Sequence, residues 1–139
     1  MDAKATKRAY LVWDANDDDA GQMIVFARTA RLARLYGHGT GCLTDTQYID
    51  ARAKRAPEFD DASDPPTPRE WIDRGYYHWC CGCVDVKISI EDIDDPGDGD
   101  KPVFDTTGKV YHSRDCFNQY VQSCKRYNWP MAVLDEAAA

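Results

Sequence analysis

From Cys80 the chain reads Cys-Cys-Gly-Cys, and these three crowded thiols, half of the six in the sequence, limit what it can fold into more than any other feature. Near-vicinal cysteines bridge one another poorly, because a disulfide wants its Cα atoms roughly 4.4–6.8 Å apart with a fixed torsion. Zinc instead takes four Cys or His ligands in a tetrahedron, commonly as two close pairs that a fold brings together. Cys80 and Cys83 form one such pair, and His112 and Cys116 form a second. Ser113 is a good N-cap, so His112 falls just before a helix and Cys116 in its first turn, where both side chains can face one point. The helix dipole favours thiolate at that end. His78 and Cys81, followed directly by Gly82, have the same spacing as Cys80 and Cys83 and stand as an alternative first pair.

The remaining thiols fit other roles. Cys124 lies about 12 Å beyond Cys116 along a regular helix, too far to share a metal with it. It falls with Phe117, Tyr120 and Val121 at helical spacing, which marks a buried core thiol. Cys42, in GHGTGC, has no second ligand pair near it and reads as a loop or buried residue.

The chain divides at PEFDDASDPPTPRE, residues 57–70, where four prolines and five acidic residues leave little to bury and an extended linker is expected. Before it, YLVWDA and QMIVFA read as strands joined by the polar NDDDAG. RTARLARLYGHG reads as a helix capped by Thr29 and stopped by a left-handed Gly37. TQYIDARAKRA gives a third strand, so residues 1–56 form a β-β-α-β unit. After the linker, DVKISI alternates like a strand, EDIDDPGDGDKP is an acidic loop, and PVFDTTGKVYH is a hairpin turning at Thr107-Gly108. The helix after Ser113 has Asp115 in its first turn and Lys125 and Arg126 in its last, and ends at Asn128. The fold class expected is α+β, with residues 71–130 as a metal-stapled unit and 131–139 as a frayed tail.

Knuckle, hairpin, and a helix whose first turn brings the last ligands is a layout that resembles the treble-clef zinc fingers. VYHSRDCF is similar to the YCSxxC signature of their TRASH and MYND-type members, with His112 where that signature has Cys. The resemblance covers about Trp79 to Tyr127 and implies a structural Zn(2+) held by Cys80, Cys83, His112 and Cys116. The chain departs from the pattern in its 28-residue link between Cys83 and His112 and in lacking a Pro or paired Gly to shape the knuckle. As a whole the sequence resembles small proteins of temperate phages and prophages, which implies a regulator or inhibitor of a host macromolecule, such as a transcription or defence component.

Composition narrows the function classes. A formal charge of −7 argues against indiscriminate binding to nucleic acid or anionic membrane. The longest apolar run, Met23 to Ala27, is far below the roughly 20 residues that span a bilayer. The opening residues lack an apolar signal core, so a cytoplasmic setting is expected. Neither acidic run has EF-hand spacing, the GHGTG loop lacks the strand-to-helix context and closing Lys of a phosphate loop, and no HExxH or G-x-S-x-G occurs. A non-enzymatic binding protein is expected, contacting a protein partner through acidic loops and the aromatics Trp71, Tyr76 and Tyr77. Two alternatives are a nucleic-acid binder using Arg28, Arg31 and Arg34, and a thiol enzyme using Cys80 or Cys81 with His78.

Overall fold

The computed structural model describes residues 7–136, which fall in two compact units, Met1–Pro66 and Thr67–Ala139. Strands and helices with small antiparallel sheets make each an α+β arrangement.

In the first unit, β1 (Arg8–Asp14) lies at the centre of a sheet of order β2-β1-β3, flanked by β2 (Gln22–Ala27) and β3 (Ala51–Arg55), both antiparallel to it. Alternation along β1 sends Tyr10 and Val12 into a core with Ala27, Ala33 and Leu43. Helix α1 (Ala30–Gly37) covers that face, and its Thr29 hydroxyl accepts the Leu32 N–H at 3.2 Å, as the sequence predicts. Gly37 plays a different part from the one expected. It is the last helical residue, and a Cβ there would stand 2.9 Å from Val12 Cγ1, so glycine serves close approach of helix to sheet. The third strand begins later than expected, because Tyr48–Asp50 form a 3-10 turn ahead of it.

Residues 57–66 belong to this unit. Pro57–Phe59 make a 3-10 turn that buries Phe59 completely, and the Asp60 carboxylate accepts the Ala9 N–H at 2.9 Å while pairing with Arg55. A single aromatic among prolines and acids thus anchors the first part of the segment read as a linker. Its last part starts a helix, α2 (Pro68–Asp73), through a reciprocal capping box between Thr67 and Glu70.

The second unit continues with β4 (His78–Trp79) and β5 (Lys87–Ile88), an antiparallel pair, then α3 (Ile90–Asp94). The hairpin of β6 (Val103–Phe104) and β7 (Val110–Tyr111) leads to the long helix α4 (Arg114–Tyr127). DVKISI keeps only two residues in its strand, since Ser89 and Asp92 form a capping box that starts α3 and takes the first part of the acidic run into a helix. The hairpin turns where expected, with Gly108 at φ +88° and its would-be Cβ 2.8 Å from Thr67 Cβ. Ile72, Cys80, Ile88, Phe104, Val110, Tyr111, Cys116 and Phe117 form the core.

The described part of the tail departs from the frayed end expected from Met131, of which residues 137–139 lie outside the described residues. Leu134 bridges Asp105, the Thr106 N–H donates to Val133 O at 2.8 Å, and the Asp135 N–H donates to Phe104 O at 2.9 Å. The tail thereby pairs with the edge of β6, and Leu134 packs on the core.

Candidate metal centre

Three segments converge on one point. The turn between β4 and β5 brings Cys80 and Cys83, the residue after β7 brings His112, and the first turn of α4 brings Cys116. Cys80 Sγ stands 3.5 Å from Cys116 Sγ and 3.3 Å from His112 Nδ1, and Cys83 Sγ is 3.5 Å from the same Nδ1. All four ligand atoms lie within 4.8 Å of one another. Bonds of about 2.3 Å to sulfur and 2.0–2.1 Å to nitrogen put tetrahedral edges at roughly 3.5–3.8 Å, so the set fits a metal ion with little movement. No disulfide forms among the cysteines.

Backbone geometry builds the turn. The Val84 N–H donates to Cys80 O at 3.0 Å, and the Cys80 N–H donates to Val86 O at 2.8 Å. Val84 takes the left-handed conformation at φ +57°, performing the bend usually left to glycine, which answers the missing Pro or paired Gly. Gly82 lies over the helix, where a Cβ would sit 2.7 Å from Cys116 Sγ and 3.3 Å from Tyr111 Cδ1. On the helix side, the Ser113 hydroxyl accepts the Cys116 N–H at 3.0 Å and fixes the first turn.

Electrostatics favour a cation here. Burial pushes the Cys80 thiol up, but the Cys83 amide, the His112 ring, the His112 amide and the Gly82 amide outweigh it and bring the thiol from 9.0 to about 6. The Cys116 thiol moves the opposite way, raised by burial, by its hydrogen bond to Cys80 and by the negative charges of Cys80 and Cys83. Several thiolates crowded without a cation oppose one another's ionisation, and a divalent ion removes that opposition.

The alternative pair stays apart from this point. His78 Nδ1 lies 2.8 Å from Trp79 O, and Cys81 packs against the core with its N–H donating to Val110 O at 2.8 Å. That bond ties the turn to β7, so the spare residue's backbone helps bring the two ligand pairs together. Cys124 is buried in α4, and Cys42 is exposed. Beneath the site, the buried Asp105 carboxylate accepts the Tyr111 hydroxyl at 3.0 Å and the Thr107 hydroxyl and N–H at 2.6 and 2.8 Å.

The residues expected to meet a partner are distributed differently. Arg28 and Arg31 are exposed, while Arg34 donates Nε to Ala51 O at 2.8 Å and Nη2 to Tyr48 O at 3.2 Å, spending its guanidinium on the approach to β3. Trp71 packs edge-on against Tyr76, centroids 5.2 Å apart. Tyr77 is exposed, and Trp79 and Lys87, not singled out in the sequence, join it on the outer face of the β4–β5 hairpin. The signal for Trp79 was its period-2 spacing from Tyr77, opposite in sense to the buried Cys80. Among the described residues no helix is long and apolar enough to cross a membrane.

Compared with known proteins, the chain matches no family model, no curated protein and no solved structure.

Proposed function

We propose that the chain is a zinc-stapled, non-enzymatic binding module whose C-terminal unit is a treble-clef-like finger and whose partner is a protein. The observation that carries this is the set of four donors, three sulfurs and one imidazole nitrogen, gathered within 4.8 Å by a turn, a hairpin end and a helix start. A thiolate-rich tetrahedral set of this kind suits zinc. With all four positions taken by protein, a bound zinc has none open for a water or substrate, which separates a structural site from a catalytic one. The internal engagement of Arg34 leaves the basic patch smaller than the sequence suggested, which favours a protein partner over nucleic acid. That the partner is a host macromolecule belongs to the same proposal and rests on the resemblance read from the sequence alone.

Iodoacetamide labelling of the folded chain, with peptide mapping, tests the reading. Cys80, Cys83 and Cys116 are expected to resist labelling until a chelator is added, and then to react together. Fast, selective labelling of Cys80 or Cys81 without chelator would show a reactive thiol and contradict it.

A further inference from the structure

Tyr77 and Trp79 are 48% and 44% exposed and stand on one face of the hairpin, while His78 between them pairs with the buried Ile88. Their rings are perpendicular, at 90°, with centroids 6.4 Å apart. Lys87, the register partner of Trp79, sets its ammonium 4.6 Å from the Tyr77 centroid and 5.1 Å from the Trp79 centroid. A cation within about 6 Å of an aromatic centroid and over its face is held by the ring's quadrupole, and here two rings act on the same ion. Lys87 is itself exposed, so another cation can take its place.

The surroundings favour that exchange. The segment Glu91 to Asp100 begins three residues after β5, is held to it by the Ser89 cap of α3, and carries six exposed carboxylates with no basic residue. Such a segment attracts a basic partner and raises its local concentration at the hairpin. The walls are also coupled to the metal centre. Trp79 precedes Cys80, Lys87 follows Val86, and the Cys80 N–H bond to Val86 O holds the two strands together.

We propose that Tyr77 and Trp79 are two walls of a cation site, filled in the free protein by Lys87, that receives a lysine or arginine side chain from a basic segment of the partner. This rests on the reading of the chain as a protein-binding module. Lys87 is then an internal placeholder that a partner displaces.

The test uses the metal-loaded full chain and N-acetyl hexalysine amide as the probe. In the free protein the Lys87 side-chain protons should show upfield ring-current shifts by NMR, and these should relax toward ordinary lysine values as the peptide is added. Trp79→Ala and Tyr77→Ala should each weaken peptide binding by about fivefold, one exposed cation–π contact. Lys87→Gln should tighten binding severalfold in the wild-type background and not in the Trp79→Ala background, because the placeholder matters only while the walls stand. Lys87 shifts that the peptide leaves unmoved, undiminished binding to Trp79→Ala, or equal tightening by Lys87→Gln in both backgrounds would each overturn the site, the last by reducing it to bulk charge. Binding of an oligothymidylate in place of the peptide would overturn it in favour of nucleic acid. Native mass spectra of each variant separate the two levels. A zinc-loaded chain without peptide binding sinks the cation site alone, whereas a wild-type chain without metal sinks the module reading and the site together.

Discussion

His112 Nδ1 stands 3.3 Å from Cys80 Sγ, and the His112 N–H donates to that same sulfur at 3.3 Å. One residue thus offers its ring to the metal centre and its backbone to a neighbouring ligand, so its loss removes a donor and weakens the orientation of Cys80 together.

The spare cysteine and histidine give the first prediction. Cys83→Ser should abolish stoichiometric metal binding, whereas His78→Ala and Cys81→Ser should retain it, since only Cys83 of these faces the other ligands. Metal content by elemental analysis of the three variants decides, and retention by Cys83→Ser together with loss by Cys81→Ser would assign the ligands to the other pair.

Gly82→Ala should disturb the centre without touching a ligand. Its new Cβ meets Cys116 Sγ at 2.7 Å, so the sulfur or the turn must shift. Affinity for metal should fall by about 10–100-fold, the range seen when groups that orient metal ligands are lost. Competition with a chromophoric chelator measures it.

Val84→Gly should stabilise the second unit. A β-branched residue at φ +57° is strained, and Val84 is 66% exposed, so little packing is lost. Relief of left-handed strain, about 1–2 kcal/mol, should exceed glycine's extra unfolded-state entropy and leave a net gain of about 1 kcal/mol by urea denaturation. A loss of stability would contradict the account of the turn.

Asp60 should make the first unit sensitive to acid. The hydrogen bond from Arg55 holds its carboxyl below the usual 3.8, with burial opposing and the Ala9 N–H assisting. A depressed folded-state value stabilises above the unfolded pKa, and that contribution is lost as pH falls through the folded value. Carboxyl carbon titration by NMR should place Asp60 below the ordinary aspartate value, and Asp60→Asn should lower stability at neutral pH but not at the acid end.

How much of this was legible in sequence depends on how local each cause is. Ser113, His112 and Cys116 lie within one helix start, and their placement follows from capping rules that operate over three residues. Thr29 and the Thr107-Gly108 turn were readable for the same reason. Arg34 was not, because its bonding partners Ala51 and Tyr48 lie 17 and 14 residues away. Gly37 looked like a helix stop because that is glycine's common use, while its actual constraint is contact with Val12 on another element. Val84 defied its own propensity, since the hydrogen bond to Cys80 O and the demands of the turn override the preference of a β-branched residue. Phe59 shows that one apolar residue in a polar stretch is enough to seat it, while the tail is seated by Ala132 and Leu134 of the apolar run that starts at Met131.

Native mass spectrometry of the reduced, freshly purified chain beside the same sample denatured in acid weighs any bound metal directly. A zinc-stapled chain should show a mass excess of one zinc ion in the native spectrum, absent after acid and absent from His112→Ala and Cys116→Ala. A native mass equal to the bare chain after purification under reducing conditions with zinc supplied would contradict it, and the three clustered thiols and the imidazole would then have to be explained as parts of a metal-free core.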